Sequence, residues 1–444
     1  MIAATSWFLI TLCGLGLPLA ALIGGADARR EWCAGKDKVR LAALALMLGL
    51  LADHAVGLVS GSLGFQATLA WAGGLAAIGA LALLARTERR VALGGSWQTW
   101  GALALTAGLT LAIYAAPLME WDARSIWFFH AKVIFFDGGF KSSGFWSDPA
   151  YDWSHTDYPE LLPMLAARFG AFAGAWNEYA PKGALVPLAT AGFLGLLAAE
   201  AAGFLATAAA AVAVLGATLW NGYMDGWIAL YAAVAVLAIA AWVETGLRTR
   251  LAVGMAALGI ALCLKNEGQL LMAAALAPIS WALAARRRAL QWRDLVVLIT
   301  FLPFAIWLVV KAKLGVQGDL EGAGIARRAL EVLGDPGELL YRLSYLAQSA
   351  FRHSHLFGAA GAFLTAGVCV GFRVSPAICG VSAVLYTGGL IVVYLGTPKD
   401  FVWHVGTSLD RVLMTPTLLF LSGLSTMMPT IVSACRQPAA PPMR

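Results

Sequence analysis

Apolar runs of about 20 residues, several of them closed by a short cluster of arginines or lysines, recur along the chain between residues 4 and 432. That length is what an α-helix needs to cross the hydrocarbon core of a bilayer, and few other folds accommodate it. Charge is correspondingly scarce. Asp, Glu, Lys and Arg make up 13% of the chain and hydrophobic residues 60%, whereas soluble domains are about a quarter charged. Charges this sparse do not cover a water-facing surface. The sequence therefore predicts an all-α polytopic membrane protein whose main solvent is the lipid bilayer. A net charge of +6 does not point to nucleic acid, because the basic residues sit in short clusters between apolar runs, as in cytoplasmic loops. The cysteines fall mostly inside apolar runs without metal-ligand spacing, so no disulfide framework is expected. The first apolar run lacks a preceding charge and a small-residue cleavage site, and reads as a retained helix.

Spans are expected near 4–24, 40–60, 65–85, 98–118, 183–200, 203–220, 226–243, 251–264, 269–284, 294–311, 354–371, 376–396 and 410–432, about 13 in all. Cytoplasmic loops carry Arg29, Arg30, Lys36, Lys38 and Arg40; Arg86, Arg89 and Arg90; Arg248 and Arg250; Arg286, Arg287, Arg288 and Arg293; and Arg373. Counted from either end, these loops leave residues 119–182 on the external side only if the apolar segment Pro159–Trp176 does not cross. Pro159, Pro163 and Arg168 make it a poor span, and it is expected to lie in the interface plane. Ile126, Phe129, Val133 and Phe136 mark a second in-plane helix. The organisation is thus a three-helix segment, 1–97, and a larger module, 98–444, with a long external loop. Residues 397–409 are expected to form another external loop.

Polar residues are costly in lipid, so their clusters mark function. They gather on the external side: Glu120, Asp122 and Arg124; His155, Asp157 and Tyr158; Asp225; Lys265 and Glu267; Arg352, His353 and His355; and His404 through Arg411. Carboxylates beside fixed cations at a membrane face suit an anionic lipid headgroup next to a hydroxyl substrate.

A carboxylate just after a span, a long external loop with in-plane helices, and the stretch HTDYPELLPMLAARFGAFAG followed by a basic residue and another span resemble the GT-C superfamily of polyprenyl-phosphate-dependent glycosyltransferases. The protein O-mannosyltransferases and the lipid A aminoarabinose transferase are the most similar in layout. The likeness covers most of the chain from about residue 98 onward. It departs in three respects: three spans precede the loop, Glu120 and Asp122 are not adjacent, and no C-terminal soluble domain follows. The resemblance implies a periplasmic active site in the cell inner membrane and inverting transfer from a polyprenyl-phosphate sugar to a hydroxyl of a glycan, lipid or protein. It places Asp122 at the catalytic carboxylate and implies Lys265, Arg411 and Arg352 as ligands of the donor phosphate. Some members hold a divalent cation, Mg or Mn, beside that carboxylate.

Structural alternatives stand beside these roles. Asp122 fits a helix N-cap equally in kind. His155, Asp157 and Tyr158 fit a polar turn before Pro159, and Lys265 and Glu267 a local pair. Asp225 fits a simple helix start. Arg124 and Lys132 fit headgroup anchors. Zinc at His353, His355 and His404 is disfavoured because i,i+2 side chains diverge on a helix. Asp53 and His54, in the second span, are expected to pair locally and hold the early helices together. A secondary transporter and a non-enzymatic lipid-binding protein are the competing functional classes. The former would place broken, polar sites near mid-bilayer.

Overall fold

The computed structural model describes residues 2–34, 38–87, 96–115, 117–141, 144–200, 202–285, 291–316, 318 and 322–436. The basic clusters at Lys36, Arg89, Arg90 and Arg286–Arg288 lie outside the described residues, as do the side chains of Arg29, Arg30 and Arg86. All regular structure among the described residues is helical. The first helices are α1 (Ile2–Ala34), α2 (Lys38–Ser60), α3 (Leu63–Thr87) and α4 (Trp97–Ala115). The external loop carries α5 (Phe128–Asp137) and α6 (Leu161–Phe172). There follow α7 (Leu185–Ala199), α8 (Phe204–Leu215), α9 (Asp225–Thr245), α10 (Arg248–Leu264), α11 (Glu267–Ala285) and α12 (Leu302–Leu314). The last are α13 (Gly322–Leu333), α14 (Pro336–His353), α15 (Leu356–Val370), α16 (Val374–Leu395), α17 (Phe401–Val412) and α18 (Met414–Arg436).

Eight helical segments are long and apolar enough to cross a membrane, and a ninth is added if α14 and α15, bent by 83° at their junction, count as one span. This makes the chain a polytopic membrane protein. The expected 13 are not reached on those criteria. α8 and α10, expected to cross, are only 12 and 17 residues long. The expected external loop 397–409 is largely helical: α17 and α18 together form one segment, Phe401–Ser433.

α9 sits at the centre. Every residue from Asp225 to Val243 is buried, as a helix apolar on all sides must be. α7, α10, α11, α16 and α18 pack around it. Hairpin connections therefore gather charged helix ends at two poles. At one, the start of α9 meets the end of α10 and the start of α11. At the other, Ser375 N donates to Glu244 Oε1 (3.2 Å), Arg248 N to Asp27 Oδ2 (3.2 Å) and Arg40 Nε to the Ala198 carbonyl (3.5 Å).

α6, expected to rest on the membrane surface, is enclosed by protein: Leu161 through Gly170 are all buried. With 12 residues it is also too short to span. Arg168 explains how a cation survives there, because it forms an ion pair with Asp53 of α2. The Asp53 carboxylate also accepts from Gln66 Nε2 (3.0 Å), and the guanidinium lies 4.3 Å from the Phe8 ring centre. Asp53 thus holds early helices together as expected, tying α2 to α3 through Gln66 and also to α6 through Arg168. Successive residues on a helix point in different directions, whereas a packed neighbour can face Asp53 squarely. In α5 the buried residues are Phe128, His130, Ala131 and Ile134, while Phe136 of the expected stripe is 69% exposed.

Candidate functional site: an alternating row of charges

Five charged side chains form an alternating row at one pole of the bundle: Asp122, Arg411, Asp225, Lys265 and Glu267. Arg411 Nη1 donates to Asp122 Oδ2 at 2.6 Å and reaches Asp225 Oδ2 at 3.5 Å. Lys265 Nζ donates to Asp225 Oδ1 at 2.8 Å and lies 2.7 Å from Glu267 Oε1. Asp225 is the pivot, joined to both cations and 5% exposed.

Local backbone places each member. Asp122 precedes a π-helical turn, Ala123–Trp127, that leads into α5; such widened turns recur at functional sites. Its side chain makes no capping bond and goes to Arg411 instead, so the N-cap alternative is not what the structure shows. Gly222 has φ +94°, and a Cβ there would meet Ala123 Cβ at 2.8 Å. Only glycine lets this loop close on the Asp122 segment. The closure sets Tyr223 beneath Arg411, whose guanidinium carbon lies 4.5 Å from the ring centre. Lys265 ends α10 in extended conformation, and its carbonyl accepts from Gly268 N at 2.9 Å, turning the chain at once into α11. Burial pushes the Lys265 ammonium towards neutrality, but Asp225 and Glu267 outweigh it and hold its pKa well above the ordinary lysine value.

The external loop supplies one wall. Asn266 Nδ2 donates to Asp157 Oδ2 (2.8 Å), and Lys265 Nζ lies 5.9 Å from the Tyr158 ring centre. Tyr158 is sandwiched between His155 (4.9 Å, 8°) and Trp127 (5.4 Å, 16°). Burial raises the Tyr158 pKa above that of an ordinary tyrosine. His155 has φ 56°, the one positive φ outside glycine among the described residues.

Beneath this wall is a buried triad that the sequence did not reveal. His130 Nδ1 lies 2.9 Å from Glu160 Oε1, and Nε2 lies 3.2 Å from Ser154 Oγ. Ser154 spends its hydroxyl hydrogen on the Tyr151 carbonyl (2.7 Å), so Nε2 is the donor to Ser154. Burial raises the Glu160 pKa, and the contact with His130 gives both buried groups a polar partner.

Of the other expected site residues, Glu120 is partly buried and close enough to Tyr223 to act on it electrostatically. His404 bonds Thr397 Oγ1 through Nδ1 (2.8 Å) and is within electrostatic reach of Lys265 and His155. Arg124 and Arg352 are exposed, and no ion pair among the described residues includes either. Arg352 falls just before the 83° bend into α15 and is not a member of the charged row. Asn266, Tyr223, Tyr386 and Thr415 join the site without having been singled out as site residues; Tyr386 and Thr415 line, with Asp225, Lys265 and Glu267, a recess too tight for a water.

Among the described residues, no three His, Cys, Asp or Glu side chains gather as metal ligands. Arg411 fills the space between Asp122 and Asp225, and Lys265 that between Asp225 and Glu267. This donor set does not fit a divalent cation. No protein-family model, curated protein or solved structure matches the chain. Fold and site together define a polytopic helical membrane protein with a charged cluster at one pole of its bundle.

Proposed function

We propose that the chain is an integral-membrane glycosyltransferase that moves a sugar from a polyprenyl-phosphate donor to a hydroxyl acceptor. The observation that carries this reading is the row itself: a carboxylate and two cations held side by side at one end of a lipid-embedded bundle. Arg40, Arg248, Arg250 and Arg373 belong to the opposite pole, which by the positive-inside rule supports a periplasmic position for the row.

In this reaction the acceptor oxygen attacks the anomeric carbon as the bond to the phosphate oxygen breaks. The phosphate leaves with the bonding electrons, and the anomeric centre inverts. Asp122 takes the hydroxyl proton, the role a positioned carboxylate plays in general base catalysis. Arg411 and Lys265 stabilise the charge that grows on the leaving phosphate. Asp157 and Tyr158 line the approach.

Arg411 is held by Asp122. An arriving phosphate competes for Arg411, and the exchange frees the Asp122 carboxylate. Donor binding thereby prepares the base.

The test is incubation of the reconstituted protein with radiolabelled polyprenyl-phosphate sugars. Release or transfer of label is expected, and its loss in Asp122→Ala. Donor binding without turnover would instead mark a non-enzymatic lipid-binding protein.

A further inference from the structure

The external loop presents a second feature that the charged row does not use. Trp153 is 50% exposed, yet it is not loose: its ring stacks on Phe129 of α5 at 5.3 Å and 24°. Phe129 is in turn wedged by Phe145 (5.5 Å) and Tyr151 (6.2 Å), which touch each other at 4.7 Å. The backbone is equally fixed. Pro149–Ser154 is a short 3-10 helix whose N-cap, Asp148, accepts from Ala150 N at 2.9 Å, and Ser154 is anchored to the buried His130 at 3.2 Å. The result is a flat, rigid, half-exposed indole whose conformational entropy is spent before any ligand arrives.

An exposed tryptophan in a membrane protein is ordinarily a headgroup anchor in the aromatic belt. The charge around this one argues otherwise. Between residues 144 and 160 the acidic side chains at the surface are Asp148 and Asp152, Asp157 and Glu160 being buried, and there is no lysine or arginine. A surface of this sign is repelled by anionic headgroups rather than drawn to them. What it fits is a neutral, polyhydroxylated ring: the apolar C–H face lies on the indole while the hydroxyls donate to carboxylates at its edge, a division that amphipathic aromatic side chains serve well.

The position also connects to the row. Two residues after Trp153, the left-handed turn at His155 carries the chain to Tyr158, which faces Lys265 at 5.9 Å.

We propose that Trp153, backed by Phe129 and flanked by Asp148 and Asp152, is a carbohydrate-binding platform that seats a sugar ring of the acceptor. That it serves an acceptor rests on the glycosyltransferase reading; that it binds carbohydrate does not. The ligand class is a neutral glycan, which selects among the glycan, lipid and protein acceptors left open by the sequence.

The test uses the full chain in nanodiscs of neutral lipid, with cellotetraose, maltotetraose and xylotetraose as probes and binding followed calorimetrically. At least one probe binds the wild-type protein, Trp153→Ala weakens it roughly tenfold, the scale of one lost aromatic contact, and Trp153→Phe retains most of the affinity. The remote and 82% exposed Trp292 provides the control, Trp292→Ala, which binds as the wild type does. Failure of all three probes to bind the wild type overturns the proposal. So does Trp153→Ala binding unchanged together with quenching of Trp153 by brominated lipids, which identifies it as a bilayer anchor. Donor hydrolysis measured without any glycan reports separately on the glycosyltransferase reading, so either can fail alone.

Discussion

Arg411 pairs with Asp122 at 2.6 Å although 289 positions separate them in the chain. Each is 18–20% exposed at the side chain, buried enough for the pair to be felt and open enough for a ligand to exchange with it. The same guanidinium nitrogen faces Asp225 at 3.5 Å, so Arg411 binds the external loop to the central helix.

Arg411 therefore acts by shape as well as charge. Arg411→Lys keeps the charge but loses the planar fork that reaches Asp122, Asp225 and the Thr407 carbonyl (2.9 Å) together. Turnover of a lipid-phosphate sugar is expected to fall in Arg411→Lys and by about 10²–10³-fold in Arg411→Ala. Equal rates in wild type and both variants would remove Arg411 from the mechanism.

Lys265 balances the buried Asp225. Lys265→Met strands that carboxylate with only the longer contact to Arg411, and is expected to cost about 3–5 kcal/mol of stability, as breaking one side of a buried pair does. Adding Asp225→Asn should return most of the loss. Thermal melts of the two singles and the double in detergent measure this, and additive losses would show that the pair is not coupled.

The contact between Asp53 and Arg168 predicts the same logic far from the row. Arg168→Met should destabilise the protein strongly, and Asp53→Asn/Arg168→Met should be milder than Arg168→Met alone. Because the pair joins α2 to α6, the single variant should also expose the external loop to protease. Unchanged proteolysis would deny the pair that role.

Glu160 sets a pH dependence. Its folded pKa is raised by burial from 4.5, so the folded state holds a proton that the unfolded chain releases. The stability it contributes is complete below about 4.5 and is lost as pH climbs through the raised folded value. Glu160→Gln keeps a donor-capable group in place and should flatten that part of a Tm-against-pH curve. An unaltered slope in the variant would assign the dependence elsewhere.

Much of the site was legible because hairpin counting alone brings helix ends together. Asp225, Lys265 and Glu267 flank consecutive turns, and Asp122 and Arg411 fall at the same pole by that count. Their pairing geometry was not legible, since nothing in a sequence says that Arg411 bridges two acids. The enclosure of α6 by protein was not legible because lipid and a protein interior select the same apolar residues, and only the partner of Arg168, on a distant helix, reveals it. α8 read as a longer span because the apolar run continues into the 3-10 turn Gly216–Leu219, whereas α10 matches its apolar run and is simply short. His130 is an isolated polar residue among Phe128, Phe129 and Ala131, a faint signal whose meaning depends on a loop some 30 residues away.

Asp122→Asn puts the central claim to its most direct test, with polyprenyl-phosphate affinity and sugar transfer measured on the same reconstituted sample. Neutralising Asp122 releases Arg411 to the phosphate while removing the base, so the donor should bind at least as tightly as to the wild type while transfer falls about 10²–10⁴-fold. Transfer at the wild-type rate, or a loss of donor affinity equal to the loss of transfer, would contradict the account.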